Sequence, residues 1–125
     1  MRAGNSNIVA IVDDDGDVRE VLDALLESAG HTVKTYAQGQ QLLDDPELGD
    51  VACLVVDQRM PAMTGLSLLR RLHSAGRTIP CVLITGRPEP RIAAEARQLG
   101  AIDVLAKPIE WEKLLDVIQR TIKGR

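Results

Sequence analysis

The sequence predicts an α/β fold: a single doubly wound parallel sheet of five strands in the order 2-1-3-4-5, with helices on both faces. Three observations predict it. Uninterrupted apolar runs at residues 8–12 (IVAIV), 51–56 (VACLVV) and 81–84 (CVLI) suit strands covered on both faces, as in the interior of a parallel sheet. Shorter segments at 32–36 (TVKTY) and 102–106 (IDVLA) mix polar with apolar residues and suit sheet edges. Between them, apolar residues recur at helical spacing, so strand and helix alternate along the chain. With right-handed crossovers, three solid runs in the middle and two mixed ones outside give this order, whose winding reverses between strands one and three.

The elements follow in turn. The first strand ends in Asp13, Asp14 and Asp15, and the helix after it carries Val18, Val21, Leu22, Leu25, Leu26 and Ala29 on one stripe. Acidic residues crowd that helix's start and Gly30 lies just past its end, as the helix dipole and C-cap geometry prefer. A weaker helix spans about 37–43 and is disturbed by Asp44, Asp45 and Pro46. The central stretch VACLVVDQRMPAMTG (51–65) then runs a buried strand straight into the carboxylate of Asp57. Pro61, Thr64 and Gly65 turn the chain before a helical pattern at Leu66, Leu69 and Leu72, which stops near Gly76. Pro80 introduces the fourth strand, which ends in Thr85 and Gly86. The stretch RPEP (87–90) excludes regular helix, so the next helix is expected from about Arg91, carrying Ile92, Ala93, Ala96 and Leu99. The fifth strand leads to Lys107 and Pro108, and the last helix shows Trp111, Leu114, Leu115, Ile118 and Ile122 on one stripe.

At 125 residues the chain is expected to be one domain, residues 1–125 with a core of about 7–122. A net charge of -3 predicts no general attraction to nucleic acid or to an anionic membrane. No stretch approaches the ~20 apolar residues of a membrane span, and residues 1–7 lack the apolar region of a secretory signal, so a cytoplasmic location is expected. Cys53 and Cys81 lie inside apolar strands without metal-ligand spacing and read as core. His31 and His73 read as structural or surface residues.

Ionisable groups at the carboxyl ends of buried strands stand where open α/β sheets bind ligands. Asp13, Asp14 and Asp57 converge there and repel one another, and a hard divalent cation with oxygen ligands is the natural compensator: Mg²⁺, or Mn²⁺. Thr85 and Lys107 end the neighbouring strands. A hydroxyl and an ammonium facing a metal-bound carboxylate make a site for a small tetrahedral anion. Asp itself can act as nucleophile and form an acyl phosphate.

The stretches IVAIVDDD (8–15), LVVDQRMPAMTG (54–65), LITG (83–86) and GAIDVLAKP (100–108) resemble the receiver domain of two-component response regulators, the CheY-like superfamily of flavodoxin-like topology. The resemblance covers essentially the whole length. It implies that Asp57 accepts a phosphoryl group, with Asp14, Asp57 and the Arg59 carbonyl as metal ligands and Asp13 acting mostly through water. It implies that Thr85 hydrogen-bonds the phosphoryl group, that Lys107 pairs with it, and that the backbone N–H groups of Gln58 and Gly86 face it. It also implies a cis Lys107–Pro108 bond. The implied partners are a histidine kinase or phosphotransfer protein, a downstream protein or an output domain, and a second copy through the face of helix four, strand five and helix five. Direct contact with nucleic acid or membrane is not expected.

One position departs from the pattern. The family often has Tyr or Phe three residues before the lysine, where this chain has Val104, and the chain contains no Phe. Two readings stand: signalling by backbone shifts around residues 85–91, or a valine that is simply a tolerated core residue. Arg59 and Arg87 flank the site, two residues after Asp57 and Thr85, where they can shield an acyl phosphate or bind its oxygens. Trp111 is expected mainly as a core anchor. Two other classes compete. A Mg²⁺-dependent aspartyl-phosphate phosphohydrolase needs a second acid where Arg59 stands. A flavin module is disfavoured by the short loops and the switch-point carboxylates. The expectation is therefore a signalling domain, catalysing only its own phosphorylation and dephosphorylation.

Overall fold

A computed structural model describes residues 8–124. The strands are β1 (Ile8–Val12), β2 (Thr32–Tyr36), β3 (Val51–Asp57), β4 (Cys81–Thr85) and β5 (Ala101–Ala106). The helices are α1 (Gly16–Ser28), α2 (Gly39–Leu43), α3 (Gly65–Ser74), α4 (Pro90–Gln98) and α5 (Trp111–Lys123). All strand pairs are parallel and the order is β2-β1-β3-β4-β5, as the apolar runs predict. The N-terminal limit of the expected core, residue 7, lies outside the described residues.

Strand periodicity sorts the core into two layers. Ala10, Val12, Leu54, Val56 and Leu83 pack with residues of α2, α3 and α4, while Val9, Ile11, Cys53, Val55, Val82 and Ile84 pack with residues of α1 and α5. Cys53 and Cys81 therefore sit in opposite layers, both buried, and burial pushes the Cys81 thiol up. They are packing residues. No helix among the described residues is long and apolar enough to cross a membrane.

Four details differ from the pattern reading. On α1 only Leu22 and Leu26 are buried, and Val21 is 48% exposed on the outer side of a stripe narrower than the spacing predicts. Trp111 is in phase with the buried Leu114 and Ile118 but is the first residue of α5, one turn before the first buried side chain. It is 37% exposed, so it is not a core anchor. Helix α2 starts at Gly39, because the Gln41 side chain accepts from Ala37 N–H at 2.9 Å and Gln38 N–H at 3.1 Å and so holds both outside the helix. Helix α4 starts at Pro90, where the first helical position needs no N–H.

The edge strand β2 is pinned by charge. Lys34 Nζ lies 3.1 Å from Asp45 and 2.8 Å from Glu47, and Tyr36 donates its hydroxyl to Asp45 at 2.5 Å. Burial, then the Asp45 hydrogen bond, pushes the Tyr36 phenol up to about 12. The same bond, helped by Glu47 N–H and Lys34, lowers Asp45 to about 2. The folded-state value of Asp45 is depressed, so its contribution to stability is present above the ordinary 3.8 and lost as pH falls toward 2. In a spectrophotometric titration the single tyrosine is expected to ionise near pH 12, and Asp45→Asn to move it toward 10. An unmoved titration would remove Asp45 as a cause.

Candidate phosphoacceptor site

Parallel register brings the site residues to one sheet edge. Val12 pairs with Val56, Asp57 with Ile84, and Thr85 with Ala106, so the next residues after β1 and β5 reach the same edge as the ends of β3 and β4. One carboxylate oxygen from each of Asp13, Asp14 and Asp57 lies within 4.8 Å of the others. Asp13 and Asp57 are only 3% and 4% exposed, and Asp14 is open to solvent. Burial pushes the Asp13 carboxyl above its ordinary value; the charges of Asp57 and Asp14 add to this, while Asp15 N–H and Lys107 oppose it.

Local structure fixes each group. Asp13 accepts from Asp15 N–H at 2.9 Å, and its carbonyl accepts from the Arg19 guanidinium at 2.6 Å. Asp15 is the N-cap of α1, accepting from Asp17 N–H at 2.9 Å, so it serves the helix rather than the cluster. Lys107 N–H bonds to Thr85 O at 2.9 Å, which carries its side chain back over β4, and the Lys107–Pro108 bond is cis. Lys107 Nζ stands 3.1 Å from Asp57 Oδ1. That oxygen is sealed from solvent and has no well-aligned hydrogen bond, the ammonium meeting it as a point charge. A buried carboxylate oxygen with spare acceptor capacity, beside two more hard oxygen donors, fits a Mg²⁺-type cation.

Two clefts share Arg59 and Lys107 in their walls. One, of about 410 Å³, is lined by Asp13, Asp14, Asp15 and Asp57 together with Lys107 and Arg59. The other, of about 500 Å³, is lined by Thr85, Gly86, Arg59, Arg87 and Lys107 among others, with Glu89 its one acid. The first suits a cation and the second an anion. Arg59 and Arg87 are exposed and form no ion pair among the described residues. Val104 is half-buried and packs against the core layer beneath α4.

One expected donor is corrected. Gln58 N–H does not face the site: it donates to Ile84 O at 2.8 Å, because the β3–β4 ladder runs one residue beyond Asp57. Gln58 acts instead as a clip. Its side-chain oxygen accepts from Leu66 N–H at 2.9 Å and its carbonyl from Gly65 N–H at 3.1 Å, closing the loop onto the start of α3. A glutamine beside a loop that ends in Thr-Gly was the only signal for this. The N–H groups of Arg59 and Gly86 make no hydrogen bond among the described residues.

The comparisons agree with this geometry. The family model described as response regulator receiver domain matches residues 9–119. The response regulator protein TodT of Pseudomonas putida is 35% identical over 118 residues, covering 94% of this chain and 52% of that protein. The transcriptional regulatory protein FixJ of Bradyrhizobium diazoefficiens is 36% identical over 115 residues, covering 92% of this chain and 56% of that protein. The chain thus spans about half the length of these curated relatives. Among solved structures, the chemotaxis protein CheY4 of Vibrio cholerae superposes with a TM-score of 0.81 at 30% identity, over 91% of this chain and 97% of that one. A match across nearly the whole chain, on a fold that gathers three aspartates, a threonine and a lysine at one sheet edge, places this protein in the response regulator receiver domain family.

Proposed function

We propose that residues 1–125 form one receiver unit that accepts a phosphoryl group on Asp57 from a histidine kinase or phosphotransfer protein and passes the signal to a downstream protein or output domain. The observation that carries this is the position of Asp57: a buried carboxylate in the acid-lined cleft, 3.1 Å from Lys107, which also lines the neighbouring cation-lined cleft. An Asp57 oxygen attacks phosphorus, the new O–P bond forms, and the donor's leaving atom departs with the old bonding pair. The loose transition state needs mainly positioning and charge neutralisation. A Mg²⁺ or Mn²⁺ held by Asp13, Asp14, Asp57 and the Arg59 carbonyl would supply that neutralisation on one side.

On the other side Lys107 balances the transferred oxygens, Thr85 donates its hydroxyl, and the unpaired N–H groups of Gly86 and Arg59 are the backbone donors. The unit catalyses only its own phosphorylation and the hydrolysis that reverses it. It works in the cytoplasm, and the face of α4, β5 and α5 serves self-association. Exposure of Trp111 at the start of α5 supports that surface.

Incubation with acetyl phosphate, followed by intact mass, tests the reading. One phosphoryl group is expected to be added with Mg²⁺ and none after chelation. No uptake with Mg²⁺ would overturn it. Arg87→Ala is expected to change the dephosphorylation rate without abolishing phosphorylation, since Arg87 lines the anion-side cleft and bonds to Thr85 only through its backbone. An unchanged decay rate would exclude Arg87 from the mechanism.

A further inference from the structure

Helix α4 is anchored by little apolar burial, with Ala96 inside the core layer and Ile92 packed partly against it. Of its nine residues only Ala96 is buried, against five of ten in α3, and its N-cap residue Glu89 makes no side-chain capping bond. Its firmest polar tie is to α3, where Arg70 grips Glu95 with two of its three guanidinium nitrogens, Nε–Oε2 at 2.5 Å and Nη2–Oε1 at 2.9 Å. Arg70 accordingly holds the Glu95 carboxyl below its ordinary value. A second tie, Arg97 to Asp103 of β5, is looser at 3.7 Å. Two planar groups joined edge to edge by two hydrogen bonds resist rotation of one helix over the other better than a single-point contact does.

The loop entering α4 is tied to the site through a single hydroxyl. Thr85 Oγ1 accepts from Arg87 N–H at 3.1 Å and donates to Arg87 O at 3.2 Å. That hydroxyl has one proton. To donate it to an oxyanion on Asp57, Thr85 must release the Arg87 carbonyl, three residues before Pro90 opens α4. Occupation of the site therefore loosens the entry to the helix that is least anchored by apolar burial.

We propose that the Arg70–Glu95 pair is a latch: it favours the arrangement in which Thr85 stays bound to Arg87, and so opposes occupation of the Asp57 site. This rests on the function proposed above. Arg70 and Glu95 are positioning residues, and neither lines either cleft at the site. Any interaction made only in the empty-site arrangement weakens oxyanion binding by its own equilibrium factor. For a surface pair of good geometry that factor is about 2–5.

The test is beryllium fluoride with Mg²⁺, a stable mimic of the acyl phosphate, titrated into the whole chain and followed by backbone amide signals at low and high salt. Wild type is expected to saturate. Glu95→Gln and Arg70→Gln are each expected to lower the half-saturating concentration about 2–5-fold at low salt, with the charge swap Arg70→Glu/Glu95→Arg returning toward wild type. High salt should shrink the ratio between the wild-type and single-variant values toward one, since it screens the exposed pair only where the pair exists. A pair that merely supports the fold would lower the melting temperature of both variants and leave half-saturation unchanged. That result, or a raised half-saturation, overturns the latch alone. Wild type failing to bind overturns the phosphoacceptor reading, and the latch with it.

Discussion

Asp13→Asn combined with Asp14→Asn is expected to abolish Mg²⁺ binding and, with it, phosphoryl uptake by Asp57, while raising the melting temperature of the metal-free protein. The two effects have one origin. Three carboxylates with ligand atoms inside 4.8 Å, two of them buried, oppose folding unless a cation lies among them. Removing two charges relieves that repulsion and leaves Asp57 paired with Lys107 at 3.1 Å. It also removes two of the three anionic donors that make a hard-cation site. Calorimetric titration with Mg²⁺ and a thermal melt in chelator check both halves. Retained Mg²⁺ affinity, or a lower melting temperature without metal, would contradict the assignment of this cluster.

Gly65→Ala is expected to be the most damaging single-methyl change near the site, costing about 1–3 kcal/mol as overpacking does in a filled interior. A Cβ there would stand 2.6 Å from Leu83 Cδ1, 2.9 Å from Asp57 O and 3.1 Å from Gln58 Cα. Leu83 can shift, but the other two atoms belong to the backbone that presents Asp57. The loop would have to open where Gln58 clips it to Gly65 and Leu66. Phosphoryl uptake should therefore slow as well. By contrast, Gly86→Ala meets nothing nearer than Lys107 Cδ at 4.0 Å and should leave stability nearly unchanged. Paired thermal melts of the two variants decide the matter, and equal stability would mean that the loop yields more readily than its packing implies.

The parts of the molecule legible in the sequence are those written in composition and period. Solid apolar runs placed β1, β3 and β4 in the interior, mixed ones placed β2 and β5 at the edges, and the winding then delivered Asp13, Asp14, Asp57, Thr85 and Lys107 to one place. What was not legible depends on register and on contacts distant in sequence. Whether Gln58 N–H points at the site or into the sheet turns on how far the β3–β4 ladder extends, which residue types do not encode. Trp111 has the right helical phase for burial but the wrong height along α5. The Arg70–Glu95 pair joins residues 25 positions apart on two exposed helix faces, where any Arg and Glu read simply as solvated.

Location of the phosphoryl group is the most direct test. Wild type and Asp57→Asn, treated alike with acetyl phosphate and Mg²⁺, are compared by intact mass. The account predicts one phosphoryl group on wild type and none on the variant; equal uptake by both would contradict it.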